Sequence, residues 1–487
     1  MLKSRPSMHF KLEPQVKKLL QRTSRFSGDK KAGLYLVGGY LRDFVLRRRR
    51  QNPDIDICLP RGAVGFAAGL AGYLKAGFVV LDREHGSCRI VKKLKDDVYT
   101  LDFSDWRGPT LADDLLHRDF TINTLALSLR DALASKPQRG SWIDLYGAAK
   151  DLKSNTIRTV NPRAFDEDPL RILRAFSLAA ILGFKIEKQT LSLAQAKAAK
   201  LRRVSFERVR DELFKILDTP HSHKCLSLMD GLGILKIIIP EFEPMRGVSQ
   251  GPYHHLDILK HTFETLRQLE DLLEELRHKK QLKDYLDEPL SASRRRFALM
   301  KLGALLHDIG KPRARRREGR KIKFHGHERI GCRISEDISR RLKLSNAEWR
   351  ALEKMVFWHL RPGYLGDYEE PSRRAIFRYL RDTSEEAASV LLISLADQRA
   401  TRGPLTTRSS RLRHERVCFR LIGEYFREKR RKAPQRLVTG DDLIREFKLS
   451  PSPLIGKLLG ELKELQAIGR ITNRREALEA AGKYLKR

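Results

Sequence analysis

Two aspartates one residue apart, Asp54 and Asp56, stand in the apolar run PDIDICL. Side chains alternate along extended backbone, so carboxylates at i and i+2 share a face and can grip the same hard divalent cations. Upstream, the apolar stretch Leu34 to Val37 breaks at Gly38-Gly39, and a helix is expected to open near Tyr40. A backbone without Cβ lets a phosphate chain come close, and amides opening a helix point at the anion. Alone, the aspartates read as a strand-end turn and the glycines as an ordinary strand-to-helix turn. Together, with Arg42 and Asp43 one turn into the helix, they are the parts of nucleotidyl or phosphoryl transfer.

The elements that must hold these groups alternate strand and helix from residue 31 to about 150. A small-residue helix (Ala63 to Ala76) is followed by strands at Phe78 to Asp82, Ser87 to Lys92 and Val98 to Phe103. Asp102 on the last strand is a candidate third carboxylate, with Asp105 as its competitor. The segment DDLLHRDFTINTLALSL, Asp113 to Leu129, reads as an amphipathic helix with a polar cap, concentrating Arg118, Asp119, Thr121 and Asn123.

In AFDEDPLRILRAF, Glu167, Asp168, Arg171 and Arg174 recur at helical spacing, so the last three are expected to project in a similar direction. The simple reading is a surface salt bridge. The sharper one comes from base chemistry. Cytosine and adenine each offer an amino donor beside a ring-nitrogen acceptor, whereas uracil and guanine offer a carbonyl beside an N–H. An aspartate that accepts and an arginine that donates therefore suit C and A and leave unpaired groups against U and G.

A second constellation is histidine-rich: His254, His255, His261, His307-Asp308, His325, His327 and His359, with Asp397 downstream. Isolated histidines on apolar helices are ordinarily core residues. His307-Asp308, after an apolar helix and before Ile-Gly-Lys-Pro, is a rarer arrangement.

Over 487 residues, 97 lysines and arginines face 61 acidic residues, a net +36, which points to a polyanionic partner. The five cysteines include no Cys-x-x-Cys pair, and no signal-like or membrane-length apolar run is present, so a cytoplasmic protein is expected. The first 30 residues read as a basic helix packing through Phe10, Leu12, Val16, Leu19 and Leu20. Lys280 to Arg296 reads as an exposed charged insert, and residues 313–323 and 427–432 as basic runs able to track RNA.

The order Leu36-Val37-Gly38-Gly39, two residues, Arg42-Asp43, a spacer and Asp54-x-Asp56 resembles the first signature of the class II tRNA nucleotidyltransferase and poly(A) polymerase family. Arg118-Asp-Phe-Thr-Ile-Asn123 resembles its second signature, WIDLYGAAKDLKSNTIR (Trp142 to Arg158) its connector, and Glu167-Asp-Pro-Leu-Arg171 its template motif. Ser205 to Leu217 resembles a further signature. His261, His307-Asp308 and Asp397 resemble the ligand order of an HD domain, and Leu437 to Glu479 the small C-terminal unit of HD-bearing members.

The resemblance implies an α+β multidomain chain: a small mixed-sheet, polymerase beta-like head, then an all-α neck, body and HD domain. The expected divisions are 1–30 (basic helix), 31–160 (head), 161–225 (neck), 226–432 (HD domain) and 433–487 (tail). It implies that Asp54, Asp56 and Asp102 are catalytic, that the first two hold two Mg²⁺, and that Gly38, Gly39, Arg42, Arg118 and Asn123 seat the triphosphate. Asp119 would meet the ribose, Asp168 and Arg171 would choose CTP and then ATP, and Arg174 would support them. An HD metal, a divalent transition ion, would sit on His261, His307, Asp308 and Asp397. The partner would be tRNA, its CCA end added or repaired, with no membrane and no obligate protein partner.

Two departures mark the chain. Phe176-Ser177 stands where members often have Arg-Phe, and Arg47 to Arg50 where a glycine is common. The rivals are a poly(A) polymerase, an enzyme adding only CC or only A, and a phosphohydrolase working from the HD site. His85-Gly-Ser-Cys-Arg89, in place of a Gly-Arg-Arg-Phe-like run, argues against the first.

Overall fold

A computed structural model describes residues 12–28, 33–48, 52–94, 97–134, 141–291, 294–319, 321–430 and 435–486. Phe10, Arg49, Arg50, Arg320, Arg431 and Lys432, which the sequence reading placed in packing or basic runs, lie outside the described residues. The chain forms two compact units, Met1–Ser205 and Phe206–Arg487.

In the first unit, helix α1 (Pro14–Ser27) starts with proline at its first position, where a missing N–H costs nothing, and buries Val16, Leu19 and Leu20. The head is a mixed seven-stranded sheet. Its strands are β1 (Tyr35–Val37), β2 (Asp54–Leu59), β3 (Gly77–Asp82), β4 (Ser87–Leu94), β5 (Asp97–Asp105), β6 (Ala126–Ser128) and β7 (Trp142–Ile143), in the order β3-β4-β5-β2-β1-β6-β7. β2 and β5 run parallel, and the other neighbours are antiparallel. Helix α2 (Gly39–Val45) joins β1 toward β2. Helix α3 (Ala63–Leu74) covers the sheet with Ala63, Ala67, Leu70, Ala71 and Leu74.

Two expected helices are broken. Asp113 to Leu129 is not one helix: α4 (Leu111–Leu116), opened by a Thr110–Asp113 capping box, gives way to a 3₁₀ turn (Thr121–Asn123) and then β6. The Asp168 segment is likewise two helices, Ala164–Glu167 and Leu170–Leu182, because Pro169 disfavours helical backbone at Asp168, which is extended (φ −144°).

The second unit is almost wholly helical. Its centre is built from the helices Ile258–Glu275, Arg296–Leu306, His327–Arg341, Asn346–Trp358 and Ala387–Ala400, with Arg408–Arg430 packed on the last. The charged segment from Lys280 is not a fully exposed insert: the helix Lys280–Asp287 buries Leu282, Tyr285 and Leu286, and Arg296 is buried too. The helices Gly440–Phe447, Pro453–Ala467 and Arg474–Leu485 share a separate core around Leu443, Leu458 and Ala477. Among the described residues, no helix is long and apolar enough to cross a membrane.

Candidate active site and histidine centre

Parallel pairing of β2 with β5 sets Asp56 opposite Asp102 and Asp54 opposite Thr100. Three carboxylates therefore stand on one patch of two adjacent strands. Asp105 is occupied elsewhere: its Oδ1 accepts the Ala63 amide of α3 at 2.7 Å. Asp102, not Asp105, is the carboxylate that faces Asp56 across the strand pair. It is not bare, because Arg89 on β4 donates to both of its oxygens, at 2.8 and 2.7 Å. Arg89 was invisible as a site residue in the sequence, since its place comes from the long-range β4–β5 register that sets it against Asp102.

Burial pushes the Asp56 carboxyl up to about 6; Arg118 opposes that shift and Asp102 adds to it. Such a carboxylate gains from a nearby cation. The divalent ions implied for this family fit the patch, which offers clustered oxygen donors, one of them held against its own charge by burial.

The Gly38-Gly39 turn lies against this patch, and the two glycines are not equivalent. Gly38 has φ +75°, and a Cβ there would lie 2.5 Å from Asp56 Oδ2 and 3.3 Å from Arg118 Nη1. Gly39 is in ordinary helical backbone with its nearest contact at 3.5 Å, and its amide donates to Asp56 Oδ2 at 3.4 Å. Arg118 is anchored by donation to the buried Asp114 at 3.1 Å. A fixed cation thus sits beside the carboxylates, where a triphosphate would need one.

Arg42, Asn123, Asp119 and Arg174 form a chain. Arg42 is 2% exposed and donates to Asn123 Oδ1 (2.8 Å) and Asp43 (2.9 Å). Asn123 Nδ2 donates to Asp119 Oδ1 (2.9 Å), and Arg174 Nε donates to Asp119 Oδ2 (2.5 Å). Burial alone would raise the Asp119 carboxyl, but Arg174 and the hydrogen bonds from Asn123 and the Phe120 amide bring it down to about 2. Here Arg42 and Asp119 brace the site, whereas the family resemblance assigned them to the triphosphate and ribose.

Asp168 caps the helix Leu170–Leu182 by accepting the Leu170 amide at 3.1 Å. Arg171, 8% exposed, donates to the His117 carbonyl (2.7 Å), the Ala164 carbonyl (3.2 Å) and Glu167 (3.1 Å). Its carboxylate partner is thus Glu167.

In the helical unit, the side chains of His261, His307 and Asp397 offer ligand atoms within 4.8 Å of one another, and those of Asp308, His327 and His359 do the same. Asp308 faces both sets: its Oδ2 lies 3.2 Å from His307 Nε2 and its Oδ1 3.3 Å from His327 Nε2. His307, His327 and His359 each donate Nδ1–H to the carbonyl three residues back, Ala304 (2.8 Å), Phe324 (2.8 Å) and Val356 (2.7 Å). That bond fixes the tautomer and leaves each Nε2 lone pair facing the cluster, as a metal site requires. His307 Nε2 is buried without an aligned hydrogen-bond partner. The donor set fits divalent transition metals.

Gly310 makes the cluster possible, because a Cβ there would lie 2.1 Å from the His327 carbonyl oxygen and 2.5 Å from the Gly331 amide nitrogen. Sequence reading found His261, His307, Asp308 and Asp397 but did not give His327 and His359 ligand roles. Their signal was the clustering of histidines with His307-Asp308.

A Poly A polymerase head domain model matches residues 34–158, a "Probable RNA and SrmB-binding site of polymerase A" model 183–246, an HD domain model 258–401 and a tRNA nucleotidyltransferase domain 2 model 428–481. An A-adding tRNA nucleotidyltransferase of Deinococcus radiodurans is 32% identical over 91% of this chain and 94% of its own length. A CC-adding tRNA nucleotidyltransferase of Thermus thermophilus is 28% identical, with 91% of each chain covered. The Thermotoga maritima CCA-adding enzyme complexed with tRNA shares the fold, with a TM-score of 0.64 at 21% identity, over 97% of this chain and 96% of that one. With head signatures, HD centre and tail in one order along the whole length, the chain belongs to the tRNA nucleotidyltransferase and poly(A) polymerase family.

Proposed function

We propose that the protein adds or repairs the CCA end of tRNA without a nucleic-acid template, using CTP and ATP. The terminal 3′-oxygen attacks the α-phosphorus of the incoming nucleotide, the bond to the β-phosphate bridge breaks, and pyrophosphate leaves. Asp54, Asp56 and Asp102 would hold two Mg²⁺, which supply activation of the 3′-hydroxyl and neutralisation of the triphosphate. Gly38, Gly39 and Arg118 seat the phosphates. Arg42, Asn123, Asp119 and Arg174 hold that seat against the helix carrying Arg171. Asp168 and Arg171 choose the base, for which Arg171 must exchange its present backbone partners for the nucleotide. The observation that carries the reading is the facing of Asp56 and Asp102 beside the Gly38 turn.

A narrower reading, addition of the terminal A alone, is favoured by the Deinococcus relative of that name. Extension of tRNA transcripts ending at the discriminator nucleotide and at CC, with each labelled nucleotide alone and then with CTP plus ATP, separates the two. Successive C, C and A, lost in Asp56→Ala, supports full CCA synthesis; A only on a transcript ending in CC supports the narrower activity.

The histidine centre would hold divalent transition metals and hydrolyse phosphate esters as a second activity. The two adjoining ligand sets support this. Such hydrolysis should survive Asp54→Ala and disappear in His307→Ala and Asp308→Ala.

A further inference from the structure

A cavity of about 280 Å³ in the helical unit is lined by Arg399, Arg402, Arg408 and Arg411, together with Gln268, Gln398 and Glu415. One of the four arginines is neutralised: Arg399 pairs with Glu275 at 2.9 Å and Glu415 at 2.6 Å. Among the described residues, Arg402, Arg408 and Arg411 form no ion pair within 4 Å, although Arg402 is close enough to help Arg267 hold the Glu264 carboxyl down. Arg402 donates only to the Arg399 carbonyl, at 3.4 Å, and Arg411 Nε is buried without any hydrogen-bond partner.

Four guanidinium groups on one concave wall face the single lining carboxylate of Glu415, which Arg399 already engages, and the buried Arg411 Nε donor left unmade is costly. Both penalties are relieved by a multivalent oxyanion, and the planar fork of arginine matches phosphate. The two glutamine amides add neutral donors and acceptors. The volume is sufficient for a phosphate or pyrophosphate group with part of its substituent.

The cavity has a fixed relation to the histidine centre. Gln268 follows His261 by two helical turns on the same face, about 10 Å along the axis, and Gln398 and Arg399 directly follow Asp397. We propose that this arginine-lined cavity is a phosphate-binding site that holds a phosphorylated ligand beside the histidine centre. It shares no residue with the nucleotide seat of the head and does not depend on whether the histidine centre turns over. The recognised chemistry is the phosphoryl oxyanion, supplied by a free nucleotide or by an RNA phosphate.

The test is calorimetric titration of the full-length protein and its variants with three probes: inorganic pyrophosphate, ATP, and a twelve-nucleotide single-stranded RNA. The variants are Arg408→Ala/Arg411→Ala and Arg408→Lys/Arg411→Lys. We expect the alanine pair to lose one pyrophosphate equivalent, or to bind it at least tenfold more weakly. The lysine pair, which keeps the charge but not the fork, should bind more weakly than the parent and more tightly than the alanine pair. A loss for ATP but not RNA identifies a free nucleotide as the source, and the reverse identifies RNA; either supports the site. Unchanged binding of all three probes to an alanine pair with an unaltered circular dichroism spectrum overturns it.

Discussion

Arg174 donates to Asp119 at 2.5 Å, tying the helix Leu170–Leu182 to the head's second signature. The pair is asymmetric: Asp119 is largely buried and Arg174 about half-exposed. Because the folded carboxyl lies near 2 rather than 3.8, its contribution to stability is present above about pH 4 and is lost as pH falls toward 2. Asp119→Asn should destabilise the protein by on the order of 2 kcal/mol at neutral pH. The difference from wild type should shrink below pH 4 in thermal melts.

Asp56 has the opposite sign. Its pKa is raised to about 6, so without metal its burial favours the protonated form, and stability declines as pH rises through 6. A cation must displace that proton at lower pH. Mn²⁺ titrations followed by electron paramagnetic resonance should show head-site affinity falling by roughly tenfold per pH unit below 6 and levelling above it. In Asp56→Asn the site should bind weakly with no such slope.

The adjacent glycines should respond unequally. Gly38→Ala meets both a left-handed φ and Asp56 Oδ2, so we expect loss of nucleotide addition by at least a hundredfold, with destabilisation of about 1–3 kcal/mol. Gly39→Ala meets neither and should retain activity within about tenfold. Single-turnover extension assays of the two variants side by side provide the check.

The histidine centre should load metal in two parts. Elemental analysis of protein reconstituted with Mn²⁺ should give two ions beyond those of the head, one fewer in His261→Ala and one fewer in His327→Ala. Equal metal content in wild type and His327→Ala would limit the centre to a single ion.

Much of the head was legible because its signals are local. The alternation of Asp54 and Asp56 and the Gly38-Gly39 break each depend on neighbours within a few residues. Asp102 could not be separated from Asp105 by sequence, since the choice lies in which one caps α3 across the sheet. The break at Asp168 was readable from Pro169, whose restriction on the preceding residue outweighs the helical spacing of Asp168, Arg171 and Arg174. His327 and His359 join the cluster only through tertiary packing, and Arg42 is absorbed into bracing contacts that no spacing rule discloses.

The Arg89 fork leaves Asp102, alone among the three carboxylates of the patch, with a guanidinium on both of its oxygens. A divalent ion held on Asp102 would have to compete with that guanidinium for the same two oxygens, so metal affinity at the head should depend on the Arg89–Asp102 pair.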